Sequence, residues 1–182
     1  SRPDTVYAII ETDDEDEGVY RSSTFGKAWE KRSSFMTTSP QYYNEIAVDP
    51  ADPERLYAMD TFTSVSEDGG KTFTRLSAEH RHVDDHAIWI DPANTAHLLI
   101  GGDGGLYESY DRGQNWRHID NLSLTQFYRI QPDNDFPFYN VCGGTQDNNS
   151  LCGPSRTAVV HGITNADWTI ILGGDGYKPQ ID

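Results

Sequence analysis

The densest group of reactive side chains is EHRHVDDH, Glu79 to His86, which packs three imidazoles and two adjacent carboxylates into one short run. Drawn out as extended chain, the run puts His82, Asp84 and His86 on one side, because successive side chains alternate. Imidazole with carboxylate is a ligand set for a transition metal, and equally an acid and a base for work on a sugar. His82, Asp84 and His86 are therefore candidates for ligand or metal binding. The plainer alternative is a solvated, hydrogen-bonded loop leading into the strand AIWID.

Three glycine-rich stretches form a second group: GGDGG (Gly101 to Gly105), GGTQDNNS (Gly143 to Ser150) and GGDGY (Gly173 to Tyr177). Each follows an apolar strand-like run at a corresponding place, so Asp103, Gln146, Asp147 and Asp175 are expected near one rim of neighbouring sheets. Glycine lets backbone approach a ligand or bend sharply. Carboxylates on adjacent sheets could make the acid pair of a glycosidase or a calcium site. Asp-Gly and Asn-Asn are also ordinary turn formers. Asp103, Asp147 and Asp175 stand as candidate catalytic acids and Gln146 as a candidate ligand contact. No cofactor is expected beyond calcium or a transition metal at these places.

The elements that would hold these groups are legible from internal repetition. SSTFGKAW, SEDGGKTF and SYDRGQNW begin at Ser22, Ser66 and Ser109, steps of 44 and 43 residues. IAVDP, IWIDP and YRIQP form a second ladder, ending at Pro50, Pro92 and Pro132. RLYAMD, HLLIGGD and FYNVCGG form a third. A period of about 40–45 residues with four short strands per unit is the pattern of a β-propeller blade. Short Val, Ile and Tyr-rich runs between Gly, Asp, Asn and Pro clusters agree with an all-β chain. The expectation is four-stranded antiparallel blades, about four of them, forming an incomplete part of a larger propeller.

The aligned turns obey Ser-x-Asp-x-Gly-x-(Thr/Asn)-aromatic. SEDGGKTF fits throughout, with Ser66, Asp68, Gly70, Thr72 and Phe73. SYDRGQNW fits with Asn115 in the Thr place, through Ser109, Asp111, Gly113 and Trp116. In SSTFGKAW, with Ser22, Gly26 and Trp29, Thr24 replaces the Asp and Ala28 the Thr. An Asp in such a turn can accept bonds from the backbone N–H groups of its own loop. Gly70 and Gly113 can take the positive φ of a tight bend. The motif resembles the Asp box, or BNR repeat, of sialidases, sortilins and related propellers. Together with YYNEIAVDP, HRHVDDHAIWIDP and DWTIILGGDG it is similar to bacterial sortilin-like Asp-box propellers of the glycosyl hydrolase type. That resemblance implies a structural role for the turns at the outer hairpin, away from a central pocket.

The net charge of −15 repels phosphate backbones, and a basic stripe is missing, so nucleic acid is not an expected partner. No apolar run reaches the roughly 18 residues of a membrane span. The five consecutive acids within ETDDEDEG, Glu11 to Gly18, lack EF-hand spacing and read as a solvated loop tip. Cys142 and Cys152 match no zinc pattern, leaving a local disulfide or two free thiols. No arginine cluster of sialidase type, nucleophile elbow or nucleotide fingerprint is found.

The repeat phase divides the chain into a partial blade (1–41), blades at 42–84 and 85–124, a blade with longer loops (125–172) and the start of another (173–182). The expected partners are remaining blades of the same or another chain, and a protein or glycan at the rim. The expected location is secreted, periplasmic or cell-surface. Two functions are weighed: a non-catalytic recognition or scaffold segment, or a fragment of a glycoside hydrolase or lyase using rim carboxylates.

Overall fold

The repeat unit folds as an antiparallel meander in the computed structural model, which describes residues 2–13, 15–122 and 124–181. Ser1 in the partial blade, Asp14 in the acidic run, Ser123 in the 85–124 segment and Asp182 in the last segment lie outside the described residues. The first sheet has three strands in sequence order, β1 (Val6–Ile10), β2 (Gly18–Ser22) and β3 (Glu30–Ser33). The second has four, β4 (Ile46–Val48), β5 (Leu56–Ala58), β6 (Ser64–Ser66) and β7 (Thr74–Arg75). The third comprises β8 (Asp85–Ile90), β9 (Leu98–Gly102), β10 (Gly105–Ser109) and β11 (Arg117–His118). The fourth comprises β12 (Arg129–Pro132), β13 (Asn140–Gly144), β14 (Ser150–Pro154) and β15 (Thr169–Leu172). The only helical element among the described residues is a single 3-10 turn, Asn165–Asp167. The architecture is all-β, built from propeller-type blades.

The chain divides into two units, Ser1–Asp120 with the first three sheets and Asn121–Asp182 with the fourth. In the first unit the core lies between the second and third sheets. Tyr57, Met59, Leu76, Ile90, Leu98 and Ile100 are buried together, with Ala47, Val65, Ile88 and Trp116 packed against them. The period-2 pattern of β9, with Leu98 and Ile100 fully buried, supplies this face. Burying each such side chain contributes about 1.5–3 kcal/mol.

The repeated turns close the hairpins. Asp68 Oδ1 accepts from the backbone N–H groups of Lys71 and Thr72, and its Oδ2 accepts from Thr72 Oγ1. Asp111 does the same for Gln114, Asn115 and the Asn115 amide. Ser66 and Ser109 Oγ accept from Gly70 and Gly113, whose φ values are 83° and 84°. In the first copy Thr24 Oγ1 accepts from Ala28 N and shares a hydrogen bond with Ser22 Oγ, fewer bonds than the two oxygens of a carboxylate make. Phe73 stacks on Phe35, ring centroids 3.9 Å apart, and Trp116 Nε1 donates to the Ser77 carbonyl. Trp29, the equivalent ring of the first copy, is exposed.

In the second unit Cys142 and Cys152 sit opposite each other on β13 and β14 and form a disulfide. Gly143 and Gly153 lie against the rings of Phe127 and Trp168, where a Cβ would collide. Residues 173–181 contain no strand. They return to the fourth sheet instead, with Gly176 N donating to Thr145 O and Asn149 N to Gly174 O.

Candidate functional site

The chemistry of the EHRHVDDH segment is set by where β8 begins. In the register, Asp85 pairs with Gly102 and Ala87 with Gly101, so His86 is an extra, bulged residue. A bulge re-aims its side chain and ends strict alternation. Asp84, just before the strand, has a left-handed backbone, φ 66°. Gly102 is required opposite it, because a Cβ there would run into the Asp84 carbonyl oxygen. The turn between β9 and β10 then delivers Asp103, whose N–H donates to Asp84 O at 3.2 Å.

Four groups converge in consequence. His86 Nε2 lies 3.0 Å from Asp103 Oδ1. Tyr43 OH donates to Asp84 Oδ1 at 2.9 Å. Carboxylate oxygens of Asp84 and Asp103 come within 4.8 Å of each other. Burial, followed by the bond to Asp84, pushes the Tyr43 phenol up to about 12, so it remains a donor at neutral pH. The Tyr43 ring stacks on the His86 imidazole at 5.3 Å, and Tyr42 meets the same imidazole edge-on at 5.3 Å. Tyr42 is 60% exposed and forms the outer surface of the group.

A buried ion pair holds this platform from beneath. Arg81 and Asp85 are paired with side chains 0% and 2% exposed. Thr63 Oγ1 donates to Asp85 at 2.6 Å, and the Arg81 guanidinium lies 5.1 Å from the Trp116 ring. Asp85 N also donates to Asp60 O. Charged groups taken from water must be paired and hydrogen-bonded, so the first residue of β8 has one stable position. Asp84 and His86 flank it.

His82 does not join them. Its Nδ1 is 2.7 Å from Val83 O, its backbone N–H donates to Tyr107 OH, and Gly104 packs on its Cβ. Within the described residues His82, Asp84 and His86 do not gather around one metal-sized centre. The extended alternation that would align them is broken by the bulge at His86 and the left-handed Asp84. Tyr42, Tyr43 and Arg81 are the residues that sequence reasoning missed. The adjacent tyrosines of QYYNEIAVDP, just ahead of a strand, were the available signal for two of them.

The second unit groups its own candidates. Asp147 (φ 58°) donates its N–H to Asp175 Oδ1 at 2.8 Å, which ties one loop to the next. Gln146 Oε1 accepts from Tyr128 OH at 2.5 Å, and Tyr177 lies 5.5 Å from the Tyr128 ring. Asp175 thus spends an oxygen on a turn backbone.

No family model matches the chain. The probable oligoxyloglucan-reducing end-specific xyloglucanase of Neosartorya fischeri is 28% identical over 110 residues, 57% of this chain and 13% of its own length. The solved GH74 enzyme of Niastella koreensis has a TM-score of 0.51 at 16% identity, covering 93% of this chain and 28% of that one. The GH74 xyloglucanase of Xanthomonas campestris has a TM-score of 0.49 at 18% identity, covering 82% and 27%. The chain therefore spans less than a third of each of these proteins. The Niastella likeness is one of fold, a β-propeller. Among the described residues no helix is long and apolar enough to cross a membrane.

Proposed function

We propose that this chain is a carbohydrate-recognising, non-catalytic part of a larger exported β-propeller protein, and that Tyr42, Tyr43, His86, Asp84 and Asp103 form its sugar-binding face. The observation that carries this is the exposed Tyr42 ring beside an imidazole and two carboxylates. An aromatic face takes the apolar C–H side of a sugar, while carboxylates and imidazole accept and donate to its hydroxyls. The xyloglucanase named above supports a plant polysaccharide as the ligand class. The disulfide suits an oxidising compartment. Strands β12 and β15 end the fourth sheet, and Ile130, Ile170 and Leu172 on them are exposed. Exposed apolar side chains of this kind suit cover by the face of a further blade, of the same or another chain, as partner.

Asp84 and Asp103 each hold a hydrogen-bond partner in this group, Tyr43 OH for Asp84 and His86 Nε2 for Asp103, an arrangement that supports a fixed polar face for sugar hydroxyls. The relative's activity keeps a second reading in view, a fragment of a glycoside hydrolase with Asp103 as its acid. One titration decides. Xyloglucan oligosaccharide added to the chain should bind saturably by calorimetry, and Tyr42→Ala should weaken it about tenfold, equal to about 1.4 kcal/mol. Absence of binding by the unaltered chain refutes the proposal. Release of new reducing ends, lost in Asp103→Asn, establishes the hydrolase reading instead.

A further inference from the structure

A cleft lies in the first unit, between the second and third sheets and on the side of the repeated turns. It has a volume of about 420 Å³ and is edged by Arg55, Arg75 and Arg112 against one carboxylate, Glu67. Leu76 and Gly113 form its apolar floor. In a chain of net charge −15 a lining of three guanidiniums and one carboxylate is out of character.

The repeat explains why the cleft is open. Gly69 N donates to Glu54 O, and one repeat later Arg112 N donates to Ala96 O, so these are equivalent positions. Between the first and second sheets the corresponding space is filled by a bidentate ion pair, Arg21 with Glu54, at 2.9 and 2.6 Å. One repeat on, Val65 stands in the place of Arg21 and Ala96 in that of Glu54. Neither side chain can fill the space or neutralise its rim.

The arginines divide into one committed and two uncommitted. Arg55 is paired with Glu67 and reaches Tyr57 OH. Arg75 lies over the Phe62 ring at 4.5 Å, a contact that leaves the N–H edge of its guanidinium available. The guanidiniums of Arg75 and Arg112 make no hydrogen bond or ion pair with any described residue. Asp111, the acid next to Arg112, turns its oxygens to the N–H groups of its own turn. Arg112 also has a left-handed backbone, φ 61°, where glycine is favoured and Gly69 stands in the preceding copy. The same position is left-handed in the first copy too, at Phe25 (φ 54°), so the conformation belongs to the repeated turn. The third copy adds to it a long cationic side chain beside the cleft.

We propose that this cleft binds the oxyanion group of an acidic ligand, a sulfate, phosphate or carboxylate, between Arg75 and Arg112. Guanidinium forks match planar and tetrahedral oxyanions with paired N–H donors. The site is separate from the tyrosine platform, so it can bind or fail independently of a neutral sugar there.

The test is titration of the chain with inorganic sulfate, inorganic phosphate and galacturonate, in separate arms at low ionic strength, followed by calorimetry. At least one anion should bind saturably, and the arms distinguish the source of the charge. Arg112→Gln should weaken it about tenfold, while Arg156→Gln, a matched charge change in the other unit, should leave it unchanged. Melting curves of both variants verify folding, and Arg75→Gln repeats the test if Arg112→Gln unfolds. Three results overturn the proposal: no saturable binding, unaltered binding in a folded cleft variant, or equal weakening by Arg156→Gln, which would mark a general effect of net charge.

Discussion

The unit up to Asp120 and the unit after it use the same antiparallel meander, of three or four strands in the first and four in the second, yet they are held by different means. In the first, neighbouring sheets bury Tyr57, Leu98 and Ile100 completely and share a buried Arg81–Asp85 pair. In the second, all four residues of β15 are exposed and a cross-strand disulfide joins β13 to β14. A single sheet has too little apolar surface to enclose a core of its own. A covalent cross-link, which restricts the unfolded chain, makes up part of that deficit. The first unit contains a core shared between repeats, and the second contains a cross-link within one repeat.

Three measurements test this contrast. The largest effect is expected at the buried pair. Asp85→Ala strands the Arg81 charge and should cost about 3–5 kcal/mol in urea unfolding. A double variant with Met at 81 and Leu at 85 should recover much of that loss, because it leaves no buried charge unpaired. Equal losses in the single and double variants would show that the ionic bond itself, rather than the stranded charge, sets the cost.

Reduction of Cys142–Cys152 comes next. It should destabilise the second unit by about 2–4 kcal/mol, and hydrogen exchange should rise in peptides from β13 and β14 while β5 and β9 remain protected. A matching rise in β5 and β9 would mean that the two units unfold as one.

The smallest effect belongs to the repeated turns. Asp68→Ala should cost about 1.5–3 kcal/mol, the range for hydrogen bonds to a charged group. The Thr72 side chain and backbone bonds, foremost among its partners, hold the Asp68 carboxyl down to about 2. Its folded value lies below the unfolded one, so its stabilisation is complete above about pH 4 and is lost as pH falls through about 2. Asp111 is lowered for the same reason, led by the Asn115 backbone bond. Acid titration of Asp68→Ala should therefore be flatter than that of the unaltered chain between about pH 4 and pH 2. Identical acid curves would remove this carboxylate from the account of the hairpin.

The all-β blades could be read from the chain alone, because strand alternation, turn glycines and a period of about 43 residues are local properties repeated three times. Ser66, Asp68 and Gly70 belong to that legible class, since the partners of the Asp68 carboxylate, Ser66, Lys71 and Thr72, lie within four residues of it. The tyrosine platform does not. Tyr43 reaches Asp84 across 41 residues and His86 reaches Asp103 across 17, so their meeting depends on how sheets stack. The bulge that re-aims His86 arises from pairing with β9, which separates it from His82 despite their even spacing. The oxyanion cleft is likewise a matter of two neighbouring interfaces being filled differently, by Arg21 and Glu54 in one and by Val65 and Ala96 in the other. Short-range backbone preferences specify each blade; which side chains face one another is decided only when the blades pack, because that choice depends on non-local contacts.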